Sequence, residues 1–266
     1  MSDFNKVDWS NINISSPFND KTNMPKATGN IKKIMIKEKL ASMGFLDNHI
    51  RLGDFDKIGE FSAKKSRDPS SDLYKNVGCF FRPNYERGIL IYSLIRKYQI
   101  KSFLEIGFGR GYGTLCASMA MKENGFGEIT TVDPNFDKKH LEFLGNIMPK
   151  EFLSRINFVE ATSQSFLESK EAKSEYGFIY IDGDHTYEAV KKDWELTKDR
   201  YRKLLLFDDY HLPSKDSGAG IQCANLIDQI DDDSKELIIM DRRIFLDDRG
   251  YSDDEIDYGQ VLLTKE

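Results

Sequence analysis

The chain has 266 residues, 39% of them apolar and 31% charged, with a formal net charge of -6. That is enough for one sizeable core with an appendage, and the acidic balance gives no general electrostatic footprint for nucleic acid or an anionic membrane, which leaves small molecules as the favoured partners. Three cysteines, Cys79, Cys116 and Cys223, are widely spaced and form no Cys-x-x-Cys pair, which argues against a disulfide framework or a zinc site and fits a reducing cytoplasm.

In chain order, residues 1–30 are rich in Ser, Asn, Asp and Lys and carry no apolar h-region. They read as a flexible arm or as a segment that wraps a partner subunit in a homo-oligomer, not as a secretory signal. No stretch approaches the roughly 20 apolar residues that span a bilayer. Residues 31–83 are weakly helical in pattern, broken by Gly44, Gly53, Gly59 and Asp68-Pro69-Ser70-Ser71, and are expected to form an N-terminal cap over a substrate pocket. From Asn84 onward Gly88, Ile89, Ile91, Tyr92, Ile95 and Tyr98 mark the broad face of a helix. It leads into Phe103-Leu104-Glu105-Ile106, a strand that empties into Gly107-Phe108-Gly109-Arg110-Gly111-Tyr112-Gly113.

An apolar strand followed by a glycine-dense turn is how an α/β sheet lets a cofactor touch its backbone. The dinucleotide fingerprint Gly-x-Gly-x-x-Gly fails in both registers, because its third glycine falls on Tyr112 or Thr114, and no Gly-Lys-Ser/Thr follows to make a P-loop. The Glu-x-Gly-x-Gly-x-Gly that remains resembles the class I S-adenosylmethionine-dependent methyltransferases. Counted from this motif, Glu105, Gly107, Gly109 and Gly111 are the cofactor-loop candidates, with Glu105 either anchoring the loop or meeting the methionyl end.

A helix over 114–122 is expected next, then Ile129-Thr130-Thr131-Val132-Asp133 as a strand ending in a carboxylate that can accept from ribose hydroxyls. A helix over 137–148 follows, and then strands at 156–160, 177–181 and 204–207. The last two are near-continuously apolar, as when both sheet faces are covered. Thr186 to Tyr201 reads as a helix whose Tyr187, Val190, Trp194 and Tyr201 are a packing stripe. Residues 236–240 and 259–263 look like a terminal strand pair. The expected fold class is α/β: a doubly wound, mostly parallel seven-stranded sheet whose domain spans 84–266. The resemblance adds that this is a Rossmann-like sheet with its last strand reversed.

Ligands of a doubly wound sheet sit outside the carboxyl ends of its strands, and both Asp182-Gly183-Asp184-His185 and Asp208-Asp209-Tyr210-His211 are read as beginning there. Crowded carboxylates call for a hard divalent cation or a raised pKa. The pairing is similar to the metal-dependent O-methyltransferases of the catechol and macrocin type. Carried over by position, Asp182, Asp208 and Asp209 would bind Mg2+ or another divalent ion, with Asp182 also bordering the cofactor, and Ser163 and Gln164 would contact adenine. The acceptor would be a hydroxyl of a small molecule, deprotonated by His185 or Asp184, a choice the residues leave open. His211 is read as a substrate contact, a group orienting Asp209, or a surface residue. A binding or assembly protein that keeps the fold without catalysis, and an NAD-dependent oxidoreductase, are the alternatives. The intact acidic cluster opposes the first and the glycine count the second.

Overall fold

The structure is a computed structural model and describes residues 25–45, 85–109, 111–135, 150–212, 221–240 and 257–265. In chain order its elements are β1 (Lys32–Met35), α1 (Ile36–Ser42), α2 (Tyr85–Tyr98), β2 (Ser102–Ile106), α3 (Tyr112–Asn124), β3 (Glu128–Val132), α4 (Lys150–Leu153), β4 (Ile156–Val159) and α5 (Ser163–Leu167). Then come β5 (Tyr176–Ile181), α6 (Tyr187–Thr197), β6 (Tyr201–Leu212), α7 (Cys223–Ile227), β7 (Glu236–Ile239) and β8 (Asp257–Thr264).

The strands form one sheet in the order β1-β7-β8-β6-β5-β2-β3-β4. Every neighbouring pair is parallel except those of β8, which runs antiparallel to β6 and β7. Side chains alternate across each strand. Phe103, Phe178, Leu204, Leu206, Ile238 and Leu262 therefore pack on one face with α1, α2 and α3. Leu104, Ile106, Ile179, Ile181, Leu205, Phe207, Val261 and Leu263 pack on the other with α5, α6 and α7. Both faces are covered, which is why the central strands read as unbroken apolar runs.

Three expectations are corrected. The sheet has eight strands, not seven, because Lys32–Met35 pairs in parallel with β7 at the sheet edge; four residues of mixed polarity carry too little alternation to announce an edge strand. The helix that begins after Thr186 ends at Thr197, and Tyr201 opens β6. Most consequentially, β6 runs to Leu212, so Asp208 to His211 lie within a strand instead of in a loop after it. The extension exists because β8 is long enough to pair Tyr210 with Gly259, His211 with Tyr258 and Leu212 with Asp257. The expected helix over 137–148, the cap positions 46–83, and the histidines His49 and His140 lie outside the described residues.

Candidate active site

Backbone hydrogen bonds bring the ends of three strands together. The Gly107 amide donates to the Val132 carbonyl at 2.9 Å, and the Asp182 amide donates to the Ile106 carbonyl at 2.8 Å. Gly107 has φ 87°, and a Cβ there would stand 2.0 Å from the Asp182 carbonyl oxygen. Only glycine allows β2 and β5 to close this tightly. Gly109, at φ 51°, faces open space, with nothing among the described residues within 4 Å of a would-be Cβ. That space suits a ligand lying along the loop.

Asp133, at the end of β3, holds that loop. Its Oδ2 accepts from the amides of Phe108 at 3.0 Å and Gly109 at 3.2 Å, and its Oδ1 accepts from the Asn135 amide at 2.8 Å. A carboxylate offers about four acceptor positions. The backbone takes three of them, so what remains for a ribose hydroxyl is one position and not a pair.

Glu105 is 1% exposed, and its Oε2 accepts from the hydroxyls of Thr131, at 2.8 Å, and Thr114. It ties β2 to β3 and to the first turn of α3, which makes it an anchor of the loop. Burial pushes its carboxyl up to about 7, against the two threonine hydrogen bonds.

Across the crevice, Ser163 donates to Asp193 of α6 at 2.5 Å, while Gln164 is exposed and reaches Glu168. Thr162 caps α5 by accepting from the Ser165 amide at 3.1 Å. Asp193 is a residue that sequence reasoning passed over. Burial lifts its carboxyl to about 6, and it holds Ser163 at the start of α5.

The acidic cluster is built by a β-bulge. Phe207 pairs with Val261 and Tyr210 with Gly259, so β6 carries one residue too many between them, and Asp209 takes φ 51°. Bulges re-aim side chains. Here the bulge separates two neighbours: Asp208 is 2% exposed, whereas Asp209 is only partly buried.

Both Asp208 oxygens are engaged. Oδ2 accepts from the Tyr180 hydroxyl at 2.7 Å and from Arg87 Nη2 at 2.7 Å. Oδ1 accepts from the Asp209 amide at 2.8 Å and from Gln260 Nε2 at 3.3 Å. Arg87, from the first turn of α2, also faces Asp182 at 3.6 Å and Asp209 at 3.7 Å. Burial lifts the Asp182 carboxyl well above the usual range, with Asp208 adding to the rise and Arg87 opposing it. Burial raises Asp208 as well, against the pull of Arg87.

His185 Nε2 lies 3.4 Å from Asp209 Oδ2. Its main chain is pinned where its carbonyl accepts from the Gln222 amide at 2.7 Å. Asp184 folds over the turn before α6, its Oδ1 accepting from the Thr186 amide at 2.9 Å. His211 is 3% exposed within β6, which removes the surface reading. Cys116 and Cys223 are free thiols, and burial drives both well above the normal thiol range. No helix among the described residues is long and apolar enough to cross a membrane.

The predicted ligand set of Asp182, Asp208 and Asp209 does not suit a metal ion in this arrangement. Asp208 has no oxygen to spare, and a guanidinium stands against all three carboxylates. Among the described residues, the group whose donor atoms lie within 4.8 Å of one another is Asp182, His185 and Asp209.

Comparison with known proteins bears on this crevice directly. Residues 104–210, from the first central strand through the bulge, match the family model of a methyltransferase domain. Among curated proteins no sequence matches.

Solved structures share this fold. One is a Klebsiella pneumoniae protein with a provisional O-methyltransferase assignment, at 14% identity and TM-score 0.53, covering 87% of this chain and 96% of its own. Another is the O-methyltransferase from Bacillus cereus in complex with SAH, at 14% identity and TM-score 0.53, covering 86% of this chain and 97% of its own. The matched segment contains every candidate cofactor and acid–base position from Glu105 to Asp209.

Proposed function

We propose that this protein is a methyltransferase that transfers a methyl group from S-adenosylmethionine to a hydroxyl of a small molecule, with His185 as the base. The observation that carries the reading is the His185–Asp209 pair in the same crevice as the glycine loop. The O-methyltransferase descriptions of the two fold relatives support the choice of oxygen as the acceptor atom.

The residues present fit the cofactor. The open face at Gly109 would admit its chain, the remaining acceptor position of Asp133 would take a ribose hydroxyl, and Ser163, held by Asp193, would border the adenine. When bound, S-adenosylmethionine supplies an electrophilic methyl group on a sulfonium.

The chain's own contribution is to place the acceptor and take its proton. A neutral hydroxyl is a poor nucleophile, and an imidazole within hydrogen-bond reach can remove its proton as attack proceeds. Asp209 accepts from Nε2–H in one tautomer and stabilises the imidazolium once His185 is charged. Asp184 is the weaker candidate, since one of its oxygens already serves the turn before α6. Mg2+ is left out of the proposal because the residues that were to bind it are taken up by Arg87, Tyr180 and Gln260.

General-base removal of this kind contributes roughly 10²–10⁴-fold in rate. His185→Ala should therefore lower kcat by about that factor for an acceptor found by screening hydroxylated compounds with methyl-labelled cofactor, and leave cofactor binding intact. Full turnover by His185→Ala would remove His185 from the role. Labelling of amine or thiol acceptors alone would overturn the O-methyl assignment.

A further inference from the structure

We infer that Arg87 is the resident cation of the acidic cluster and keeps divalent metal ions out of it. Its guanidinium lies 2.7 Å from Asp208, 3.6 Å from Asp182 and 3.7 Å from Asp209. Three carboxylates gathered this closely need a compensating positive charge or a proton. A guanidinium supplies that charge at every pH the protein meets, and its planar fork of donors can serve several carboxylates at once.

The contact with Asp208 is withdrawn from water, the carboxylate side chain being 1% exposed and that of Arg87 22%. The remaining Asp208 acceptor positions are filled by Tyr180, Gln260 and the Asp209 amide. The cluster is thus a closed network centred on an arginine.

A hard divalent ion needs several oxygen ligands at about 2.0–2.6 Å. Two of the three residues able to gather around one, Asp182 and Asp209, are residues that Arg87 already faces. An ion between them would sit beside a guanidinium of like charge, and evicting Arg87 would leave Asp208 buried with its countercharge gone, a costly state. Arg87 and a metal ion therefore exclude one another. The chain keeps the acidic residues expected of a metal site and meets them with a countercharge of its own.

Arg87 is in this sense a positioning residue: it faces Asp209, which lies beside His185, and supplies the countercharge of the cluster. The inference concerns the same site as the proposed methyl transfer but is read from ion binding, so either can fail alone.

The test is Mn2+ binding followed by electron paramagnetic resonance, in which bound ion disappears from the free-ion signal. Wild type and Arg87→Lys should leave the signal of equimolar Mn2+ unchanged. Arg87→Met should take up Mn2+ stoichiometrically, and adding Asp209→Asn should abolish the uptake. Stoichiometric binding by wild type overturns the inference. So does a folded Arg87→Met chain, checked by circular dichroism, that takes up none. Should Arg87→Met fail to fold, the wild-type and Arg87→Lys measurements decide alone.

Discussion

Glu105 shows how one buried carboxyl shapes the glycine loop. In the unfolded chain it ionises near its ordinary value of 4.5, whereas in the folded protein burial holds its proton until about 7. The folded state binds the extra proton in that window, so the stability Glu105 contributes is complete below the unfolded value. It is lost as pH rises through the folded one. Glu105→Gln keeps an acceptor for Thr114 and Thr131 but cannot ionise. Between about pH 5 and about pH 8, the stability of the variant relative to wild type should rise by about 2–3 kcal/mol in denaturant unfolding. An equal difference at both pH values would mean that Glu105 is ionised in its buried setting.

The residues of this loop were legible because their signal is local. The glycines, Glu105 and Asp133 each follow directly from a strand end, and strand ends are where such sheets bind ligands. Arg87, Tyr180, Gln260 and Asp193 gave no such signal. Arg87 sits on an ordinary amphipathic helix, and Tyr180 is one more aromatic in an apolar strand. Only Gln260, a polar side chain next to the apolar run Val261-Leu262-Leu263, carried a hint, since a buried amide must find partners.

At the scale of elements, β2 to β5, β7 and β8 were read close to their observed bounds, whereas the edge strand β1 was missed and β6 was read too short. A strand's length depends on what pairs with it, and the reach of β6 to Leu212 is set by β8. That is also why Asp208 and Asp209 share a bulge, a feature with no sequence signature in this chain. The edge strand β1 is likewise held by distant contacts. Asp228, just after α7, accepts from the Thr28 and Gly29 amides at 2.5 and 2.8 Å and from the Thr28 and Tyr210 hydroxyls at 3.1 and 2.8 Å. Four hydrogen bonds on one carboxylate predict that Asp228→Ala costs about 2–3 kcal/mol. It should also release amide-exchange protection in β1 while β2 and β5 keep theirs. Unchanged protection in β1 would show that pairing with β7 suffices to hold it.

At the scale of the whole molecule, one sheet gathers a loop that can receive a nucleotide-like cofactor and a proton acceptor at the same strand ends. Gly107 closes β2 against β5 so that the two halves share a crevice. The fold was readable because the order of elements and the glycine motif agree. The arginine-filled cluster was not, since the contact joins α2 to two later strands. The central claim is that this crevice binds the cofactor through a loop held by Asp133. The direct measurement is calorimetric titration with S-adenosylhomocysteine of wild type and Asp133→Ala. The account predicts saturable binding by wild type, weakened roughly 10- to 100-fold in the variant through loss of charge-assisted hydrogen bonds. No binding by wild type, or equal binding by both, would contradict it.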